Sequence, residues 1–210
     1  MWTCLLLVFS QFPTADPPPR SYQEGNAAFL KQDFPRALSL YQQALATNPN
    51  NGEFLRSIGA VYAAQKQLPE ARLWFHRACH ASQPNALACF QAGRTWQIEQ
   101  DYTRALALYE RATTLQELGP RLTLATAQVL DRLGRALDAE RAYRKAISQA
   151  ALRPSESGDA QIFYANFLAR QGRFTAALWQ LEQAEGKLPA DPRLVEERAK
   201  IARAQAASAP

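Results

Sequence analysis

Small residues recur along this chain at a fixed interval and separate stretches of larger apolar and polar residues. Glycine occupies positions 25, 59 and 93, so the interval is 34 residues. Alanine takes the corresponding place at Ala127 and Ala165, and four additional residues precede the last of these. Self-similarity at such a period is typical of an array of helical repeats. The pattern therefore predicts five copies of one helical unit.

Two further series keep the same spacing, including the four additional residues before the fifth copy. Their members are all alanine: Ala37, Ala71, Ala105, Ala139 and Ala177, then Ala44, Ala78, Ala112, Ala146 and Ala184. Two helices pack closely only where a small side chain lies at their crossing. The series therefore predict a first and a second helix in each copy, with the glycine or alanine marker at their contact.

The predicted turns carry residues of two kinds. An apolar residue recurs between the two helices of each copy, as Phe34, Leu68, Tyr102, Ala136 and Phe174. Gly134 and Gly172 lie just before two of these, where a helix end favours a left-handed residue. Between copies, helix breakers combine with N-cap residues at 48–51, 84–85, 119–120 and 189–192.

The second copy shows the unit most clearly. It reads Leu55, Ile58-Gly59, Tyr62, Ala71, Phe75, Ala78 and Pro84. This order resembles the tetratricopeptide repeat, and the resemblance covers about residues 18–191. It implies an all-α, right-handed α-α superhelical solenoid of five helix pairs, with repeats at about 18–51, 52–85, 86–119, 120–153 and 158–191.

The two ends of the fifth copy depart from the regular unit. Residues 154–159 contain the four-residue insertion, together with Pro154 and Gly158, and predict a longer, more mobile loop. Residues 192–207 predict a capping helix, in which Asp191 is the N-cap and Pro192 the first residue. Its apolar stripe would consist of Leu194, Val195, Ile201 and Ala202.

The first fifteen residues carry no charge and contain the apolar run 5–9. The run is too short to span a bilayer as a helix, but it has the length of a signal-peptide core. No basic residue precedes it. We expect a signal peptide or an apolar N-terminal anchor, followed by a proline-rich spacer at 16–20. The protein would then be exported to a periplasm or tethered to a membrane. There are two alternatives. One is a start codon that has been placed too far downstream, and the other is an apolar strap that folds on the first repeat of a cytoplasmic protein.

Composition and charge narrow the range of partners. The chain has 210 residues, of which 47% are hydrophobic and 20% charged, and its net charge is +5. These values are ordinary for a folded domain. The charges are mixed along the predicted helices, so the excess favours acidic protein partners and does not indicate a nucleic-acid surface.

Candidate catalytic and metal-binding residues are few. The sequence contains no phosphate-binding glycine loop, no Cys-x-x-Cys and no His-Glu-x-x-His, and we expect neither an enzyme nor a cofactor. His76 and His80 stand one helical turn apart beside Cys79. A solvated face is favoured over a metal site there. Cys79 and Cys89 are interpreted as free core thiols, and a disulfide is the alternative in an exported protein. Trp74, Trp96 and Trp179 are assigned to the core.

The resemblance implies that the first helices line a concave groove that holds a peptide. The residue after each marker is Asn26, Ala60, Arg94, Gln128 or Asn166, and amide side chains can pair with a peptide backbone. The complete set of predicted groove residues is Tyr22, Asn26, Phe29, Arg56, Phe90, Arg94, Arg121, Gln128, Arg132, Phe163, Asn166 and Arg170.

The sequence can be checked for the residues of one ligand site that is known in such arrays. The clamp that some family members use for a C-terminal carboxylate needs lysine, asparagine and arginine where this chain has Tyr22, Asn26, Ser57, Leu87 and Gln91. Only Asn26 matches. We therefore expect a non-enzymatic scaffold that binds a peptide or partner protein in complex assembly, at a bacterial envelope. A self-associating array and an accessory subunit of an enzyme are the alternatives.

Overall fold

The computed structural model describes residues 17–116 and 118–208, and over these ranges the chain forms helices without a strand. The helices are α1 (Arg20–Leu30), α2 (Phe34–Thr47), α3 (Gly52–Ala64), α4 (Leu68–Cys79), α5 (Ala86–Ile98), α6 (Tyr102–Leu115), α7 (Pro120–Arg132), α8 (Ala136–Gln149), α9 (Pro154–Arg170), α10 (Phe174–Glu185) and α11 (Pro192–Ala207).

The helices stack in chain order as five antiparallel pairs and a final cap. α1 packs on α2, α3 on α4, α5 on α6, α7 on α8 and α9 on α10, and each second helix also packs on the first helix of the next pair. The first helices α3, α5, α7 and α9 contact one another in sequence. This confirms the predicted all-α solenoid, in which each unit is stabilised mainly by its neighbours.

The marker position lies where the two helices of a pair cross. A β-carbon on Gly25 would lie 2.7 Å from the ring of Tyr41, and Ala127 and Ala165 are fully buried at the corresponding places. The alanines of the other two series are fully buried too. The small residues are therefore required by the close approach of the helices, as the spacing predicted.

The turn inside each pair contains one residue with left-handed backbone. Gly134 and Gly172 have φ values of 74° and 72°, which confirms the expectation for both. In the first three pairs the same place is held by Gln32, Lys66 and Gln100, with φ between 60° and 62°. The turn geometry is therefore shared by all five pairs, whereas glycine marks it only in the last two.

The insertion before the fifth copy is helical. The helices α3, α5, α7 and α9 begin at positions 52, 86, 120 and 154, so the start of α9 keeps the regular interval. α9 has 17 residues where α7 has 13. The predicted mobile loop at 154–159 is therefore wrong. Pro154 opens the helix instead of breaking it, because the first turn does not use the N–H that proline lacks. Four residues add about one helical turn. The residues after the insertion therefore lie on the same faces of the helix as their counterparts in the other copies.

The capping helix α11 begins as predicted, with the Asp191 side chain accepting a 2.9 Å hydrogen bond from the backbone N–H of Arg193. Leu194 and Ile201 are buried against the last pair. Val195 and Ala202, which were predicted in the same stripe, are exposed. The end of the core is therefore covered only by the face of α11 that packs on α9 and α10.

The buried cysteines form a disulfide in the structure. Cys79, at the end of α4, is bonded to Cys89 in α5, and both are fully buried. The interpretation as free thiols is therefore wrong, and the alternative that the sequence left open is correct. The bond joins the second copy to the third.

Two other groups of residues were assigned to core or surface from the sequence. His76 and His80 are exposed, with their ring centroids 4.3 Å apart, and residues 17–116 and 118–208 contain no cluster of three potential metal ligands. Trp74 and Trp96 are half-buried. Trp179 is 54% exposed, so its assignment to the core is wrong.

The N-terminal predictions fall largely outside the described part of the chain. The signal or anchor at 1–15 and residue 16 of the spacer are not described, and α1 already begins at Arg20, the last residue of the predicted spacer. Within the described ranges, no helix combines the length and the apolar character that crossing a membrane requires.

Candidate functional site

Two adjoining depressions lie along the first helices α5, α7 and α9. The depression between α5 and α7 has a volume of about 490 Å³, and the one between α7 and α9 about 440 Å³. Gln97 and Gln128 line both, so the two are continuous. We call this surface the inner groove. Eight predicted residues line it: Phe90, Arg94, Arg121, Gln128, Arg132, Phe163, Asn166 and Arg170.

A chain of hydrogen bonds fixes the amides on the floor of the inner groove. The hydroxyl of Tyr109 donates a 2.6 Å hydrogen bond to Oε1 of Gln97, and Nε2 of Gln97 donates a 3.2 Å bond to Oε1 of Gln128. Burial raises the pKa of Tyr109, which keeps its hydroxyl protonated as a donor. Because a primary amide has two N–H groups, Gln97 can hold Gln128 and still donate to a bound peptide.

The depression between α7 and α9 contains an ion pair beside aromatic rings. Arg170 binds the carboxylate of Asp131, which is 10% exposed. Burial, and then the charge of Asp131, raise the pKa of Tyr143, so this tyrosine is also protonated. Phe163 is 38% exposed and offers an apolar contact next to Asn166. The surface can therefore take both polar groups and an apolar side chain.

The inner groove is positively charged. Arg121 is bound to Glu156 at 3.1 Å, and Arg170 to Asp131. Arg94 and Arg132 are exposed and make no ion pair within the part of the chain that the structure describes. Their charge is therefore free to attract an acidic partner.

The predicted groove residues of the first two pairs have a different role. Tyr22 is only 8% exposed, and its ring centroid lies 4.8 Å from that of Phe54. Its hydroxyl donates a 2.9 Å hydrogen bond to Glu53, which also binds Arg56 at 2.6 Å. Tyr22 therefore joins α1 to α3, and Arg56 holds the carboxylate that Tyr22 binds. The prediction that Tyr22 faces an open groove is wrong.

Asn26 and Phe29 also make contacts within the first pair. Oδ1 of Asn26 accepts a 2.8 Å hydrogen bond from Tyr41, and Phe29 packs on Phe34 with 6.0 Å between ring centroids. The bond from Tyr41 corresponds to that from Tyr109, but its acceptor is the residue after the marker, whereas Gln97 lies three positions further along. Sequence reasoning missed Gln97, since it looked for amides only beside the marker.

The family model described as tetratricopeptide repeat matches residues 22–86, 99–157 and 124–193. The chain belongs to the tetratricopeptide repeat family. No curated protein sequence matches it.

Several solved structures share this fold at low identity, among them YrrB, which is described as a tetratricopeptide repeat protein. YrrB, described as having an unusual peptide-binding site, is 21% identical with a TM-score of 0.72, and the match covers 88% of this chain and 92% of YrrB. PilW, a type IV pilus biogenesis factor, is 17% identical with a TM-score of 0.72, over 90% of this chain and 86% of PilW. MamA is 22% identical with a TM-score of 0.66, over 84% and 96%.

Membership of the family indicates the general kind of protein. Tetratricopeptide repeat proteins are in general non-enzymatic scaffolds for protein interactions, and no catalytic family is indicated for this chain. The family therefore indicates protein interaction as the general kind of function.

Proposed function

We propose that this chain is a non-enzymatic scaffold that binds an extended, acidic segment of a partner protein in the inner groove, and so contributes to the assembly of a multiprotein complex. The continuous inner groove with its bonded amides is the observation that carries the proposal. Gln97 and Gln128 would pair with the backbone of the segment, and Arg94 and Arg132 would attract its acidic side chains. The peptide-binding site of YrrB, a protein that shares this fold, is in keeping with the proposal.

The proposal is tested by affinity capture followed by binding measurements with the captured partner. Arg94→Glu and Arg132→Glu should weaken binding, since each replaces an attractive charge by a repulsive one. The control is Arg36→Glu, which makes the same change at an exposed position of α2, away from the groove. If binding of every captured partner is as strong in both groove variants as in the control, the inner groove is not the site.

We also propose that the protein works outside the cytoplasm, in a periplasm or held at a membrane. The uncharged apolar segment 1–15 and the disulfide between Cys79 and Cys89 support this location, because disulfides persist mainly in oxidising compartments. To test this, whole cells are treated with iodoacetamide, which alkylates free thiols. The fraction of Cys79 and Cys89 that is alkylated is then measured. Complete alkylation in the native cell, in a protein found with the cytosol, would contradict the proposed location.

A further inference from the structure

A second depression lies between α8, α9 and α10 and has a volume of about 400 Å³. α9 contributes Gln161, Tyr164 and Leu168 to it. At about 100° per residue, these three lie on the opposite face of α9 from Phe163, Asn166 and Arg170, which line the inner groove. The depression, which we call the outer depression, is therefore separate from the groove proposed above.

Two glutamines in the outer depression have an amide oxygen without a hydrogen-bond partner among residues 17–116 and 118–208. Gln161 is 4% exposed and Gln180 9%, and Oε1 of each is buried. A buried acceptor without a partner is destabilising, because no hydrogen bond offsets the loss of its hydration. Such groups are rare in folded proteins and need an explanation.

The other copies of the repeat show that the fold does not require glutamine at these places. The residues corresponding to Gln180 are Leu40, Trp74, Leu108 and Ala142, and those corresponding to Gln161 are Ser21, Leu55, Cys89 and Thr123. All of the first set are apolar, and none of the second carries an amide. Buried amides at these two places are therefore particular to the fifth copy, although Gln91 of the third copy also has a buried Oε1 without a partner among the described residues.

An exposed tryptophan borders the same depression. Trp179 is 54% exposed, and Ser39, Leu73, Ala107 and Arg141 hold its place in the other copies. An indole presents a large flat apolar surface, which commonly anchors partner side chains in interfaces. Trp179 and the two glutamines thus combine an apolar contact with amides that can donate or accept.

Two arginines of the outer depression share one carboxylate. Arg144 and Arg173 both bind Glu140, at 2.6 and 2.9 Å, and the hydroxyl of Tyr164 donates a 2.8 Å hydrogen bond to the same carboxylate. The depression therefore attracts an anion less than the inner groove does, where Arg94 and Arg132 make no ion pair with the described residues. A ligand that fills the outer depression must be weakly charged, and it must offer hydrogen bonds together with an apolar group.

We propose that the outer depression is a second docking site, which binds an extended, weakly charged peptide segment through Gln161, Gln180 and Trp179. A peptide group carries a donor and an acceptor, so it can pair with a glutamine amide once the amide turns towards it. An apolar side chain of the segment packs on Trp179. The site is independent of the inner groove, because the two lie on opposite faces of α9.

The site is tested with short random peptides displayed on phage, selected on the full chain and then synthesised. Selected peptides that use the outer depression should bind roughly tenfold more weakly to Trp179→Ala and to Gln180→Leu, because each change removes one contact. Phe163→Ala, on the opposite face of α9, is the control and should leave their affinity unchanged. Gln180→Leu should also raise the melting temperature of the free protein, since it removes an unpaired buried oxygen. A loss of binding in this variant therefore does not result from unfolding.

The proposal is overturned if selection yields no peptide whose affinity depends on both Trp179 and Gln180. It is also overturned if Trp179→Ala instead lowers a concentration-dependent sedimentation mass, because the occupant would then be a second copy of the chain. Peptides that respond to Arg94→Glu and Arg132→Glu report on the inner groove alone, so the failure of one site is distinguished from the failure of the other.

Discussion

Gly59 lies directly against the ring of Phe75, so that a β-carbon on this glycine would be 2.7 Å from two ring carbons and 3.2 Å from the β-carbon of Trp74. Gly25 and Tyr41 have the same relationship one repeat earlier. An aromatic residue of the second helix thus occupies the space that a side chain of the first helix would need. This contact explains why a small residue recurs at the marker position of each copy.

Replacing Gly59 by leucine should destabilise the array by about 1–3 kcal/mol, because the added side chain must displace the buried ring of Phe75. The free energy of unfolding is measured by urea denaturation followed by circular dichroism. The control is Ala107→Leu at an exposed position of α6, which should change stability by less than about 0.5 kcal/mol. Equal stability of the two variants would refute the assignment of Gly59 to the helix crossing.

Reduction of the disulfide between Cys79 and Cys89 should lower the free energy of unfolding by about 2–3 kcal/mol, because the bond closes a loop with a sequence separation of 10 and so restricts the unfolded chain. Urea denaturation with and without dithiothreitol measures the effect. Cys79→Ser/Cys89→Ser should show the reduced stability in both conditions and serves as the control. A wild-type protein that is indifferent to dithiothreitol would contradict the prediction.

The stability of the protein should fall at acid pH, in part because of Glu53. Burial raises the pKa of this carboxylate, but the hydrogen bond and charge of Arg56, then the hydrogen bonds from Tyr22 and Asn85, outweigh burial and bring the pKa below 4.5. A lowered pKa in the folded state gives stability that is present above pH 4.5 and is lost as the pH falls through the folded value.

This contribution is isolated by melting Glu53→Gln and the wild type from neutral pH down to acid pH. The difference in melting temperature should be largest above pH 4.5 and should shrink below it. Glu110→Gln, at an exposed position of α6, is the matched control. If the melting temperature of Glu53→Gln differs from that of the wild type by the same amount at every pH, the prediction is wrong. The charge of Glu53 would then not contribute to stability.

The fold was predictable because its main determinant is periodic. Gly59, Ala71 and Ala78 recur in register with their counterparts, and close helix packing requires small residues at those places. The helical insertion in α9 was not predictable in the same way. Pro154 favours a turn as readily as the first residue of a helix, and the choice depends on tertiary contacts such as that between Gly158 and Leu188.

The candidate site was predictable only in part. Periodicity indicates which face of a first helix points inward, and Arg94, Gln128 and Asn166 follow it into the inner groove. It does not indicate which inward side chains are sealed by the next pair, and Tyr22 is buried against Phe54 of α3 for this reason. The structure also reveals that Trp179 is exposed, as are the residues that hold its place in the other copies, among them Leu73 at 60%.

The capping helix should contribute to stability through one buried face. Ile201 is 2% exposed and packs against the core, whereas Val195 on the same helix is 75% exposed. Ile201→Ala removes buried methyl groups and leaves a cavity, so we expect a loss of about 2–5 kcal/mol in the unfolding free energy of the unit that contains it. Val195→Ala deletes a similar side chain from the solvent-facing side and should have little effect. Hydrogen exchange of α10 and α11, read by mass spectrometry, measures the local loss. Equal protection of α10 in the two variants would show that α11 does not cover the end of the solenoid core.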